Sequence, residues 1–380
     1  MDGKLLYDST IPLQRDVMSR GLQTHVEGAD VQYRVAVVAT SVFWANKLIL
    51  PRIVTCELRI ENSSVRIEKA TYESGYTQLR ADVLIFSGII GDIDIWQELA
   101  KRRQRNQLWV FATEESAFTS RKFIPPIEMS DIHFNISSTY HPKSDIYIPY
   151  GAFSPFTGEE KTALKFESNF YQKEHLMAWV SSHCSTPMWR RSDAVHDLGN
   201  YIPIDMYGGC GEISCPKQSW VNCTRVFRKY KFIAAFENSC CGGYITEKFW
   251  NVVSLFKAIP VVIGAPKVDY ERQAPSNSFI HADDFDSLKD LADYILRVSK
   301  DKDLYDSYFQ WKNNGTVKCN PIRDITSLTD FGVCRLIDFL EAKKQDLSKR
   351  VFDPYGPNWL GGCNECGHHK WVKDYSNFLK

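Results

Sequence analysis

Glu247 and Lys248 follow closely on a pair of glycines, Gly242 and Gly243. This grouping suits an anionic ligand that carries sugar hydroxyls. Lysine neutralises phosphate as a point charge, and a carboxylate accepts from hydroxyls. Glycine allows a tight turn and lets a ligand come close to the backbone. Far upstream, Glu114 and Glu115 directly follow the apolar run Leu108–Phe111. A carboxylate at the end of a strand can take a proton from a hydroxyl; a solvated acidic loop has the same composition. Two adjacent carboxylates do not both point into one pocket, so one of them is structural.

The elements that must hold these groups are legible as short apolar runs. Phe232–Phe236 reads as a buried strand, and Ile245, Phe249, Val252 and Phe256 recur at helical spacing. A helix is therefore expected to start near Tyr244 or Ile245, with its free N–H groups and positive dipole end at the mouth of the glycine turn. Ile259–Gly264 supplies the next strand. Further strand candidates are Arg34–Thr40, Ser64–Glu68, Asp82–Ser87, Leu108–Thr113 and Asp145–Pro149, then Leu176–Ser181, Ile204–Tyr207 and Phe279–His281. Helical material such as Trp96–Arg105 lies between some of them. Alternation of this kind predicts mostly parallel sheets covered on both faces. The chain divides into a polar extension (1–30), a first α/β unit (31–160), a second (175–330) and a C-terminal helix with a cysteine-bearing tail (331–380). Two doubly wound units leave a cleft where their strand ends meet.

The chain has 380 residues, with 46 Lys+Arg against 46 Asp+Glu, a balance that gives no footprint for nucleic acid or an anionic membrane. The basic run Lys101–Arg105 is read as the solvated C-terminal end of a helix. Eleven cysteines, with sequons at Asn62, Asn135, Asn222 and Asn314, point to an oxidising secretory compartment. The odd count leaves at least one thiol free or paired with another chain. Asp92-Ile93-Asp94 precedes a helix and is read as capping, not as a metal motif. Cys363-Asn364-Glu365-Cys366 is read as disulfide-forming in preference to zinc-binding. The first thirty residues contain neither a signal-peptide core nor a membrane span.

The segment Lys231–Phe285 resembles the nucleotide-sugar signature of the α1,3-fucosyltransferases, glycosyltransferase family 10. The resemblance is carried by Phe236-Glu237-Asn238-Ser239, Tyr244-Ile245-Thr246-Glu247-Lys248, Pro260-Val261-Val262, Gly264, Tyr270-Glu271-Arg272 and Ser278-Phe279-Ile280-His281. Blocks at Phe134–Tyr140 with Ser144–Gly151, and at Ala178–Cys184, extend it. Cys240-Cys241-Gly242-Gly243 departs from the family, as do Ala117 in place of proline and His183 in place of asparagine.

The resemblance implies a GT-B architecture of two Rossmann-like domains, an acceptor-side one and a GDP-fucose-binding one. It places the catalytic base on Glu115, with Glu114 as fallback. It puts a phosphate-binding arginine at Arg190, with Arg191 as the neighbour serving instead. Guanidinium meets two phosphate oxygens at once. It assigns Lys248 to the diphosphate, Glu247 to the ribose, Tyr244 to the nucleoside side, and Glu237 and Asn238 to the sugar or phosphates.

The implied reaction is inverting transfer of L-fucose from GDP-β-L-fucose to an N-acetylglucosamine hydroxyl of a glycoprotein or oligosaccharide. A protein O-fucosyltransferase and an inactive glycan-binding protein are the alternatives. No cofactor is required, with Mn²⁺ at most stimulating. Family members are lumenal Golgi proteins with one membrane helix. That anchor is not evident here, through truncation, an alternative start or departure from the family.

Overall fold

The computed structural model describes residues 33–38, 52–56, 63–70, 80–157, 166–185, 188–214, 220–319, 325–342 and 347–377. The predicted extension 1–30 and the sequon asparagine Asn62 lie outside these described residues.

The first sheet comprises β1 (Tyr33–Val38), β2 (Arg52–Cys56), β3 (Ser63–Ala70), β4 (Val83–Phe86), β5 (Leu108–Thr113), β6 (Ile136–Thr139) and β7 (Ile146–Tyr147). Their order is β2-β3-β1-β4-β5-β6-β7, and only β2 with β3 is antiparallel. β8 (Gly151–Pro155) lies outside both large sheets, and the second comprises β9 (His175–Val180), β10 (Ile204–Tyr207), β11 (Tyr230–Phe236), β12 (Ile259–Ile263) and β13 (Ile280–His281). The second sheet is parallel throughout, in the order β10-β9-β11-β12-β13. The run Phe232–Phe236 of β11 and all of β12 are buried, as strands covered on both faces must be.

β14 (Gly315–Cys319) then returns to pair antiparallel with β8, and the helix Ile325–Ala342 follows. Leu336 and Ile337 of that helix pack with Val35, Val37, Val83, Val110 and Ile136 of the first sheet. The helix thus completes the first core although 209 residues separate Val110 from Cys319, the end of β14; chain order and core membership are independent here.

Caps match composition. Asp92 accepts from Ile95 N at the start of helix Ile93–Arg102, which supports the capping reading of Asp92-Ile93-Asp94. Arg103, at the end of that helix, is less solvated than expected. It donates to His133 O and Asn135 Oδ1 and lies 4.4 Å from the Trp109 ring centre.

Candidate active site

The order of the second sheet reverses between β9 and β11, a topological switch point where open α/β sheets bind ligands beyond their strand ends. Arg191 spans this switch. It is 3% exposed, and it donates to Phe236 O at the end of β11 and to Ser181 Oγ and His183 O beyond β9. Its Nε has no protein partner. Burial lowers its pKa from the usual arginine value, against the raising influence of Glu237, Tyr244 and Glu247.

Glu237 follows β11 at once and is 0% exposed. Thr246 N reaches its Oε1 at 2.8 Å, Thr246 Oγ1 both oxygens at 2.9 Å, and Lys248 Nζ its Oε2 at 3.3 Å. Burial pushes the carboxyl up, against the pull of Lys248 and the Thr246 donors. Gly264 makes room for it: at φ +154° it has no Cβ, and one would lie 2.6 Å from Glu237 Cβ. Lys248 remains partly open and also sits 3.4 Å from Glu247 Oε1. Burial opposes its charge, but Glu237 and Glu247 outweigh that and raise its pKa.

The helix carrying Glu247 and Lys248 begins at Glu247, two to three residues later than the apolar spacing predicts. Thr246 is the reason: its side chain accepts from Lys248 N, so the helix is capped there. After Asn251 the backbone widens into a π-helical turn, Val252–Phe256.

The first sheet contributes Glu114 and Glu115 beyond β5. Thr113 Oγ1 accepts from Glu115 N, Tyr150 Oη donates to Glu114 O, and Tyr140 Oη accepts from Ala117 N. Ser116 Oγ meets Ser239 Oγ of the second half at 2.8 Å, so the ends of the two sheets touch here. Burial, then Glu115 and Glu247, push the Glu114 carboxyl up to about 8. Burial also raises Glu115, with Lys248 and His183 pulling it down and Glu247 pushing it further up. These carboxylates and the Lys248 cation therefore share one electrostatic field across the cleft.

Four expectations change. Arg190 lies outside this group: its guanidinium is exposed, paired with Asp193 at 2.8 Å and bonded to Asp374 O. Its neighbour Arg191 is the arginine buried at the switch point. Glu237 is wholly buried and engaged, so it holds Lys248 and Thr246 and has no surface left for a ligand. Tyr244, 2% exposed, packs against Tyr140 and Tyr150 and fills the junction between the halves. The Gly242-Gly243 turn abuts protein and not an open mouth: a Cβ on Gly243 (φ +70°) would lie 2.7 Å from Pro142 Cδ. Asn238 is half-buried, and its Oδ1 is a buried acceptor without a protein partner.

Three disulfides are described in full: Cys184–Cys210, Cys240–Cys366 and Cys241–Cys363. Cys223 and Cys334 are also disulfide-bonded, and Cys319 is a free thiol, as the odd count requires.

Two mostly parallel, doubly wound sheets whose strand ends bring charged groups together define a GT-B glycosyltransferase fold. A family model described as "Fucosyltransferase, N-terminal" matches residues 40–151, and "Glycosyltransferase family 10 (fucosyltransferase) C-term" matches residues 170–353. The chain belongs to glycosyltransferase family 10. It is 32% identical over 238 residues to glycoprotein 3-alpha-L-fucosyltransferase A of Drosophila melanogaster, covering 62% of this chain and 45% of that protein. It is 36% identical over 210 residues to 4-galactosyl-N-acetylglucosaminide 3-alpha-L-fucosyltransferase FUT5 of Homo sapiens, covering 55% of this chain and 53% of that one. The chain thus spans about half the length of the curated relatives it matches. A crystal structure of an alpha1,3-fucosyltransferase shares the fold, with TM-score 0.51 and 15% identity over 87% of this chain and 96% of that one. Among the described residues, no helix is long and apolar enough to cross a membrane.

Proposed function

We propose that the protein transfers L-fucose from GDP-β-L-fucose to a hydroxyl of N-acetylglucosamine on a glycoprotein glycan, with inversion to an α1,3 linkage. The observation that carries this reading is the pairing of the Glu114-Glu115 carboxylates from one sheet with Lys248 and Arg191 at the switch point of the other. Family membership supplies the substrate class.

In the proposed step, Glu115 takes the proton of the acceptor hydroxyl, whose oxygen attacks the anomeric carbon of fucose from the face opposite the diphosphate. The new C–O bond forms as the bond to the β-phosphate oxygen breaks. Lys248 receives the charge that develops on the departing GDP, with Arg191 beside it. Glu237 and Thr246 hold the lysine in place, which spares reorganisation during transfer. Glu247, partly open beside Lys248, is placed to accept from ribose hydroxyls, and Asn238 Oδ1 from a sugar hydroxyl. Because fixed cations offset the phosphate charge, the reading needs no resident metal, and Mn²⁺ at most stimulates. The site's compartment is the Golgi lumen in this reading, in keeping with the disulfides.

The test is incubation with GDP-fucose and a glycan array, followed by linkage analysis, for wild type, Glu115→Gln and Lys248→Ala. Transfer by wild type and loss of about 10²-fold or more in each variant are expected. Turnover that survives both substitutions sinks the assignment. Glycan binding without turnover in wild type favours the glycan-binding alternative. GDP is expected to raise the melting temperature more than UDP, and the reverse order contradicts the donor.

A further inference from the structure

The C-terminal segment Leu347–Asn377 crosses from one half of the molecule to the other, and the crossing lies at the turn that departs from the family. Its first part belongs to the first sheet. Phe352 bridges Phe134 and stacks on Phe111, Tyr355 Oη donates to Pro125 O, and Trp359 packs between Phe111 and Tyr140. Its last part belongs to the second sheet. His368 N reaches the Asp283 carboxylate at 2.8 Å, Trp371 Nε1 donates to Phe285 O, and Asn377 N donates to Met188 O. Arg190 finds its role here: its backbone N and its guanidinium donate to Tyr375 O and Asp374 O.

Between these anchorages the tail is fixed to Cys240-Cys241-Gly242-Gly243. Gly242 N donates to Gly362 O, Asn364 N donates to Cys240 O, and the bonds Cys240–Cys366 and Cys241–Cys363 close side by side. On its other side the same turn presses Gly243 against Pro142 of the first half.

We infer that this segment is a covalent splint that sets the separation between the Glu114-Glu115 turn and the Lys248-Arg191 group, with Cys240, Cys241, Cys363, Cys366 and Trp359 as its positioning residues. The arrangement explains why both cysteines and Gly243 occur in one turn. The cysteines take the two staples, and Gly243 lets Pro142 close on the turn from the other side. Each staple joins the tail to the donor half alone, while Trp359, four residues ahead of the first staple, seats it in the aromatic core next to the strand that leads to Glu114 and Glu115. A misplacement of about 1 Å between reacting groups can cost about 10² in rate, which is the leverage such a splint has. The inference rests on the transferase reading for its kinetic consequence only.

The test is mild phosphine reduction of the folded protein, with thiol counting to establish that all four cysteines are open, followed by GDP binding and initial-rate kinetics. GDP affinity is expected to stay within about twofold while kcat with a glycan acceptor falls about 10²-fold and returns on re-oxidation. Hydrogen exchange at Tyr140–His141 is expected to rise in the reduced form. The double substitution Cys363→Ser with Cys366→Ser is expected to show the same split without any reductant. Unchanged kcat and unchanged exchange overturn the inference. Parallel loss of GDP affinity also overturns it, because the staples then serve only the donor half itself. If the oxidised protein transfers no fucose, the proposed function fails, and the exchange comparison still decides the splint.

Discussion

Glu114 and Glu115 lie in one field, where burial and Glu247 raise both carboxyls. The base must be ionised to work. The acid limb of kcat/KM is therefore expected above the ordinary carboxylate range, and a pH–rate profile measures it. Glu114 also makes a stability prediction. Its pKa of about 8 exceeds the unfolded value, so folding favours the protonated form, and that advantage fades as pH rises from the ordinary carboxylate range through 8. Glu114→Gln stays neutral throughout, so it is expected to raise the melting temperature more at pH 8.5 than at pH 5. Arg190→Ala is expected to leave kcat/KM within about threefold, and Arg191→Ala to lower it by about 10². The resemblance chose Arg190 and kept Arg191 only as its neighbour, yet Arg191 is the buried one, because adjacent residues at a helix start point about 100° apart. Burial was equally hidden at Asn135. This sequon residue is 3% exposed, and its amide bonds Trp109 N, Arg103, Ser348 O and Arg350 O. On expression in a secretory host, peptide mapping is expected to find Asn135 unmodified and the exposed Asn314 carrying glycan.

At the scale of elements, the strands with strong signals were legible. β5 and β10 run where the apolar runs predict, and β9, β11 and β12 differ by a residue or two at one end or both. Buried parallel strands are uniformly apolar, which makes them readable. β8 and β14 were not legible, because a half-exposed two-stranded ribbon has no such run. The start of the Lys248 helix was misplaced because Ile245 fits helical spacing while Thr246 provides the cap. Thr246→Val is expected to cost about 1–2 kcal/mol from the lost cap, with a further loss from Glu237, measurable by denaturant unfolding. Glu237 itself shows why residue type does not reveal role: a carboxylate after a strand reads as a ligand contact until its donors are seen to lie inside the protein.

At the scale of the whole molecule, two parallel sheets and a cleft follow from the strand–helix alternation, and the return of the chain does not. Nothing in the periodicity of Ile325–Ala342 says which sheet it covers; only the contact with Val35, Val37 and Val83 does. Ile337→Ala is expected to cost about 2–5 kcal/mol and to destabilise the first half, whose strands from Val35 to Ile136 lie far earlier in the chain, more than the nucleotide half. Hydrogen exchange resolved by strand would show it, and equal loss of protection in β11 and β12 would count against a core shared only with the first sheet. The tail was read as a cysteine-bearing coil, correctly oxidised, but the partners of its cysteines lie in the turn that the sequence marks only as unusual.

That pairing has a consequence for biosynthesis. Cys240 and Cys241 are separated from Cys366 and Cys363 by 126 and 122 residues. At about 5–20 residues per second, the two thiols wait on the order of ten seconds before their partners are even translated. During that interval they are adjacent nucleophiles in an oxidising compartment, open to pairing with Cys184 or Cys210. Correct pairing therefore waits on the tail: the turn is closed only once Cys363 and Cys366 have been made.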